Sequence, residues 1–145
     1  MADEEEVKEV AAPEPQKGTG TFVYPDGSRY EGEWASDVDG VRRREGQGTF
    51  DDGVERYEGS WVADKMDGQG KFVFATGAVY EGGFADNVFS GSGRYEWKDG
   101  ATYEGGWRQG RMHGDGTYVD PEGVSWAGEF YNGKFNNGRA HINLR

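Results

Sequence analysis

Aromatic and polar residues alternate along short stretches of this chain, with glycine at fixed places between them. In residues 80–84 (YEGGF) the two aromatic side chains lie four positions apart, so both point to one face of a strand. Residues 93–97 (GRYEW) alternate in the same way, and Asp99 and Gly100 then give a turn signal. The pattern therefore predicts a β-hairpin.

The hairpin pattern recurs with a period of 23 residues: units open at Tyr57, Tyr80 and Tyr103, and Trp126 takes the next aromatic position. Counted from its opening tyrosine, each regular unit has a Gly-x-Gly pair at offsets 11 and 13 and a turn glycine at offset 20. A fixed period in this range indicates a repeat architecture. The predicted fold is all-β, an elongated single-layer antiparallel sheet of serial β-hairpins, with about a dozen short strands and little or no helix.

The repeats divide the chain into an array and two tails. A half unit at 18–29 precedes full units that open at 30, 57, 80 and 103, and a degenerate unit runs from 126 to 138. The unit from 30 is longer because 35–45 is an enlarged loop, which contains Arg42, Arg43 and Arg44. Residues 1–17 are acidic and lack aromatic side chains, which predicts a disordered tail, and 139–145 is expected to be a cap or docking tail.

The motif Tyr-Glu-Gly-x-Trp/Phe, followed by Gly-x-Gly and Asp-Gly, resembles the MORN (membrane occupation and recognition nexus) repeat over residues 18–138. The small, acidic, repeat-only form is similar to MORN proteins of motile cilia and flagella, including radial-spoke members. This resemblance implies a structural subunit of the axoneme, with larger axonemal or filamentous cytoskeletal proteins as partners in a multi-subunit complex. The alternative is an adaptor at the cortical cytoskeleton or at phosphoinositide membranes.

The charge of the chain bears on whether its partner is a membrane or a nucleic acid. The net charge is -11, and the only cluster of basic residues is Arg42 to Arg44. Anionic lipid attracts clustered Lys and Arg, and nucleic acid requires a basic stripe, so direct membrane binding is disfavoured and no nucleic-acid partner is expected.

Composition also bears on the compartment. The chain contains no cysteine, which excludes disulfides and zinc–cysteine sites and suits a reducing compartment. The N-terminus lacks the apolar region of a signal peptide, and Ala2 excludes N-myristoylation. The expected localisation is the cytoplasm, with the cytoskeleton and the ciliary axoneme added by the resemblance.

No enzymatic activity, cofactor or metal site is predicted. His113 and His141 are the only histidines and lie 28 residues apart, so no pre-spaced pair is present. The Gly-x-Gly pairs lead into strands and lack a third glycine, which excludes a dinucleotide loop. A glutamate follows each opening tyrosine, and a carboxylate that recurs with every unit fits a structural role.

The predicted partner contacts are repeated aromatic rings that line a shallow trough, since large rings are common anchors in interfaces. For any single ring, packing between hairpins is favoured over contact with a partner. The candidates are Tyr57, Trp61, Tyr80, Phe84, Tyr103, Trp107, Trp126 and Phe130, and the mid-array Tyr80, Phe84, Tyr103 and Trp107 are preferred. A second candidate is the basic run Arg42, Arg43 and Arg44, as a contact for an acidic partner.

Overall fold

The computed structural model describes residues 14–135, and in that range the chain forms one open antiparallel sheet of eleven strands in sequence order, without a helix. The strands are β1 (Gln16–Val23), β2 (Arg29–Ser36), β3 (Arg42–Asp51), β4 (Arg56–Val62), β5 (Lys65–Val73), β6 (Val79–Ala85), β7 (Val88–Glu96), β8 (Thr102–Arg108), β9 (Arg111–Val119), β10 (Ser125–Tyr131) and β11 (Lys134–Phe135). The predicted fold class is therefore confirmed. Residues 1–13 and 136–145 lie outside the described range. The predicted disordered tail, 1–17, was placed too far along the chain, because Gln16 and Lys17 pair with Ser36 and Ala35 in β1.

Two unbroken rows of equivalent residues cross ten strands in register. The aromatic row is Phe22, Tyr30, Phe50, Tyr57, Phe72, Tyr80, Tyr95, Tyr103, Tyr118 and Trp126. The glycine row is Gly20, Gly32, Gly48, Gly59, Gly70, Gly82, Gly93, Gly105, Gly116 and Gly128. Because the rows lie two residues apart, both belong to the same face of the sheet.

The two glycines of each Gly-x-Gly pair have different structural roles. Gly91 has a φ of 77°, and the β6–β7 register shifts between Gly82 and Phe84, so Gly91 lies in a β-bulge. Gly93 lies under the Tyr80 ring, and a Cβ at Gly93 would overlap that ring. One glycine thus shapes the backbone and the other makes room for a tyrosine.

The tight turns within the regular hairpins also join neighbouring units. Asp86 and Asn87 both have positive φ, at 54° and 71°, as a type I′ hairpin turn requires. The Asn87 backbone N–H donates to the carbonyl of Met66 in the preceding unit at 3.0 Å, and the Met66 N–H donates to Asn87 Oδ1 at 2.9 Å. These reciprocal hydrogen bonds fix adjacent hairpins edge to edge.

The enlarged loop is shorter than the predicted 35–45. Ala35 and Ser36 continue β2 and pair with Arg43 and Arg42, so only residues 37–41 connect the strands. The guanidinium of Arg42 lies 4.1 Å from the centre of the Trp34 ring, which gives the added strand residues their own packing.

Candidate functional site

The aromatic face of the sheet is a closed core. The Tyr80 ring makes T-shaped contacts with Phe84 and Trp107, at centroid distances of 5.1 and 5.3 Å, and stacks on Phe89 at 3.8 Å. Its hydroxyl donates to the carbonyl of Gly83 at 2.8 Å, so the polar end of this buried side chain is satisfied.

The same geometry recurs in other units. Trp107 packs between Tyr80 and Tyr103, at 5.3 and 5.2 Å, and its Nε1–H donates to the Gly93 carbonyl at 3.0 Å. Trp61, two units earlier, makes the equivalent hydrogen bond, with its Nε1–H donating to the Gly48 carbonyl at 3.1 Å. Each of these tryptophans therefore links its own unit to the preceding one.

The structure places the predicted aromatic contacts in this core, with one exception. Exposed fractions are 0% for Tyr57, Tyr80 and Tyr103, 2% for Phe130, 3% for Trp61, and 4% for Phe84 and Trp107. The exception, Trp126, is half-buried. The buried rings pack between hairpins, as was favoured for any single ring. Their contact with a partner stays a prediction.

The buried tyrosines give stability a defined pH dependence. Burial raises the pKa of Tyr30, Tyr57 and Tyr103 to about 12, against 10.0 for an ordinary tyrosine, and it also raises the pKa of Tyr80. Between these pH values the unfolded chain loses protons that the folded chain keeps, so stability falls as pH rises.

We expect the tyrosine contribution to stability to be fully present below about pH 10 and to be lost between about pH 10 and 12, where the chain unfolds. Tyrosinate absorbance and far-ultraviolet circular dichroism, recorded on the same samples, would follow both events. Ionisation of the whole tyrosine set near pH 10 with an intact sheet would contradict this expectation.

The predicted basic run is engaged within the chain. Arg43 pairs with Asp39 at 2.7 Å, while Arg44 pairs with Asp64 at 3.2 Å and lies over the Trp61 ring at 4.4 Å. Arg44 stands opposite Trp34, where later units place Met66, Phe89, Met112 and Phe135 opposite their own ring. This basic run is thus largely neutralised and packed, which weakens its case as an acidic-partner contact.

The opposite face of the sheet is polar and carries its own row across the strands. Its members are Thr21, Glu31, Thr49, Glu58, Lys71, Glu81, Arg94, Glu104 and Thr117. From Glu58 to Glu104 the charges alternate in sign, and we call these five residues the charged ladder. Ion pairs in the described chain engage Glu58 with Arg56 and Arg94 with Glu96, but not Lys71, Glu81 or Glu104.

A groove of about 850 Å³ runs beside the charged ladder from β3 to β8. Its floor is the backbone of the glycine row, and its other wall carries Gln47, Gln69 and Ser92. The side chains of the two walls flank this backbone, which lies open between them. This arrangement suits binding of an extended surface and not the enclosure of a small molecule.

Within residues 14–135, no group of three or more His, Cys, Asp and Glu residues is arranged to hold a metal ion. His113 lies in β9, beside the Tyr131 ring at 5.4 Å. No helix in the described range is both long enough and apolar enough to cross a bilayer.

Sequence reasoning missed the charged ladder and the groove. The recurring glutamates were visible, but their neighbours Lys71 and Arg94 come from different hairpin strands and meet them only through the register. The alternation of Lys71 and Arg94 with adjacent aromatic residues was the signal that could have placed them on the polar face.

Comparison with protein families finds the MORN repeat at four places, residues 16–29, 57–79, 80–102 and 103–125. Together these matches cover more than half of the chain. The matched segments after the first begin at the opening tyrosines of the three regular units. A comparison with curated proteins gave no match.

Proposed function

Because the chain belongs to the MORN repeat family, we propose that it is a non-enzymatic scaffold whose polar groove binds an elongated segment of a partner protein. The observation that carries this proposal is the continuous groove from β3 to β8. Strands lie about 4.8 Å apart, so six strands offer a surface of about 24 Å. Such a surface suits a long, thin ligand.

Charge on the groove wall supports a protein partner. Lys71 lies between Glu58 and Glu81, and Arg94 lies between Glu81 and Glu104, so positive and negative groups alternate along the groove. A partner with charges in the reverse order would be attracted in one register and repelled when shifted by one strand. The ladder therefore sets the register of a bound partner along the groove.

We also propose a cellular setting for this scaffold. The resemblance to the small, acidic MORN proteins of cilia and flagella favours the axoneme, with a radial spoke or related complex as the assembly. Under this proposal the protein lies in the cytoplasm and cytoskeleton, and its partners are larger filamentous proteins. The non-enzymatic role is supported by the recurrence of a glutamate in the same place of all four units that open with tyrosine.

The test uses the tagged full-length protein expressed in ciliated cells, with chemical cross-linking and identification of the co-purified complex. Neutralising two charges, Lys71→Gln with Arg94→Gln, should reduce recovery of the partner about tenfold while the melting temperature changes little, because both side chains are exposed and no like charges become direct neighbours. Lys98→Gln, a neutralisation at an exposed turn outside the groove, is the matched control. Unchanged recovery with the folded double variant would remove the groove from the proposal.

Vesicle binding tests the membrane alternative. We expect no sedimentation with phosphoinositide vesicles at physiological salt, because the net charge is -11 and Arg43 and Arg44 are already paired with aspartates. Neutral vesicles are the control for non-specific adsorption. Saturable binding to the phosphoinositide vesicles alone would favour the membrane adaptor.

A further inference from the structure

Two arginines face each other at one hairpin tip of the polar face. Arg108 at the end of β8 is the direct cross-strand partner of Arg111 at the start of β9, and both side chains are exposed. Like charges in directly opposed positions destabilise a sheet. The equivalent pairs in other regular or terminal units are Val62 with Lys65, Ala85 with Val88, and Tyr131 with Lys134, each with at most one charge.

The next hairpin extends this cationic surface. Lys134 and Tyr131 follow on β11 and β10, and the Tyr131 ring is 63% exposed. We call Arg108, Arg111, Tyr131 and Lys134 the tip patch. In residues 14–135 none of its three cations forms an ion pair, whereas Lys65, at the position of Arg111 two units earlier, contacts Asp86 at 2.8 Å.

His113 lies beside the tip patch. Its ring packs against Tyr131, and its Nδ1 is buried without a hydrogen-bond partner in the described structure. A buried polar atom of this kind is uncommon and calls for an external partner or water. Arginine and tyrosine are also the side chains most enriched at binding hot spots.

We propose that the tip patch binds an acidic peptide segment of a partner protein. Its residues lie on four consecutive strands, which spreads them over about 14 Å. Carboxylates along a peptide can reach both ends of such a row, whereas one phosphate group contacts only part of it. A broad anionic bilayer would be repelled by the rest of the protein, whose net charge is -11, so a membrane is a poorer match.

The tip patch is separate from the groove of the proposed function. The groove lining includes Glu104 and Gly105 of β8 but none of the tip-patch residues. Loss of groove binding and loss of tip-patch binding are therefore distinguishable: the double substitution Lys71→Gln with Arg94→Gln should leave binding to the tip patch intact.

A labelled peptide of six glutamates, with a six-glutamine peptide as control, is the probe for fluorescence anisotropy on the full-length chain. Replacing both arginines, Arg108→Gln with Arg111→Gln, should weaken hexaglutamate binding about tenfold and reduce its dependence on salt. Lys65→Gln is the matched control at the same tip position and should change binding less than about twofold. Each arginine substitution should also leave the melting temperature equal or higher, since it relieves like-charge repulsion.

Three results would overturn the proposal. The first is equal affinity for the glutamate and glutamine peptides. The second is a loss of stability in the arginine variants, which would assign these side chains a structural role. The third is evidence for a different occupant. This would be preferential binding of inorganic phosphate or of anionic vesicles, or self-association in sedimentation velocity that the Arg108→Gln, Arg111→Gln double variant abolishes.

Discussion

Replacing Trp107 with alanine is expected to lower the free energy of unfolding by about 3 kcal/mol, the lower end of the range for large aromatic side chains in cores. The ring is 4% exposed, packs on Tyr80 and Tyr103, and its Nε1–H satisfies the Gly93 carbonyl. Its loss would open the core between two units and leave that carbonyl without the indole donor.

Trp34→Ala is the matched comparison and is expected to cost less. Trp34 lies near the end of the array, beside Gly18 of the edge strand, and the Arg42 guanidinium lies over its ring. A truncation there affects one neighbouring strand and a surface cation. Urea unfolding followed by tryptophan fluorescence and by circular dichroism would measure both losses, and equal values would show that the end and the middle are packed alike.

Gly93→Ala is expected to cost about 2 to 3 kcal/mol, as overpacking of a core does. The added methyl group would overlap the Tyr80 ring and hydroxyl, so the ring would leave its place and lose its hydrogen bond to Gly83. Because that ring also contacts Phe84 and Trp107, two units would be disturbed.

Gly91→Ala separates this overlap from backbone strain. Gly91 has a φ of 77°, but a Cβ there has no neighbour within 4 Å. The substitution should cost about 1 kcal/mol, from the left-handed conformation alone. If Gly91→Ala proved as damaging as Gly93→Ala, the ring-over-glycine contact would not be the source of the larger effect.

The sequence predicted the hairpin repeat correctly but not the extent of the enlarged loop. The spacing of Tyr80, Gly91, Gly93 and Gly100 was enough to predict a hairpin repeat, because strand and turn signals depend on neighbouring residues. The loop at 35–45 was predicted too long, because Ala35 and Ser36 gain strand partners in Arg43 and Arg42. Nothing local in those residues distinguishes a loop from an extended hairpin.

The candidate surfaces needed more than local pattern. A tyrosine in a repeat could pack or protrude, and the sequence left this choice open for Tyr80 and Trp107. Burial was decided by the next unit, which places Trp107 against Tyr80. In the same way, no carboxylate of residues 14–135 comes within reach of Arg108 or Arg111, whereas Asp64 neutralises Arg44 from another hairpin.

The sequence by itself determined the repeat, the alternation of aromatic and charged side chains between the two faces of each strand, and the positions of the turns. These properties follow from a strand's two-residue period and from turn chemistry, which act over a few residues. Only the tertiary structure decided that the rings close into a core, that Lys71 and Arg94 join the glutamates in one ladder, and that Arg108 and Arg111 have no ion-pair partner among residues 14–135. Those outcomes depend on the register between strands, which brings together residues that are distant in the chain.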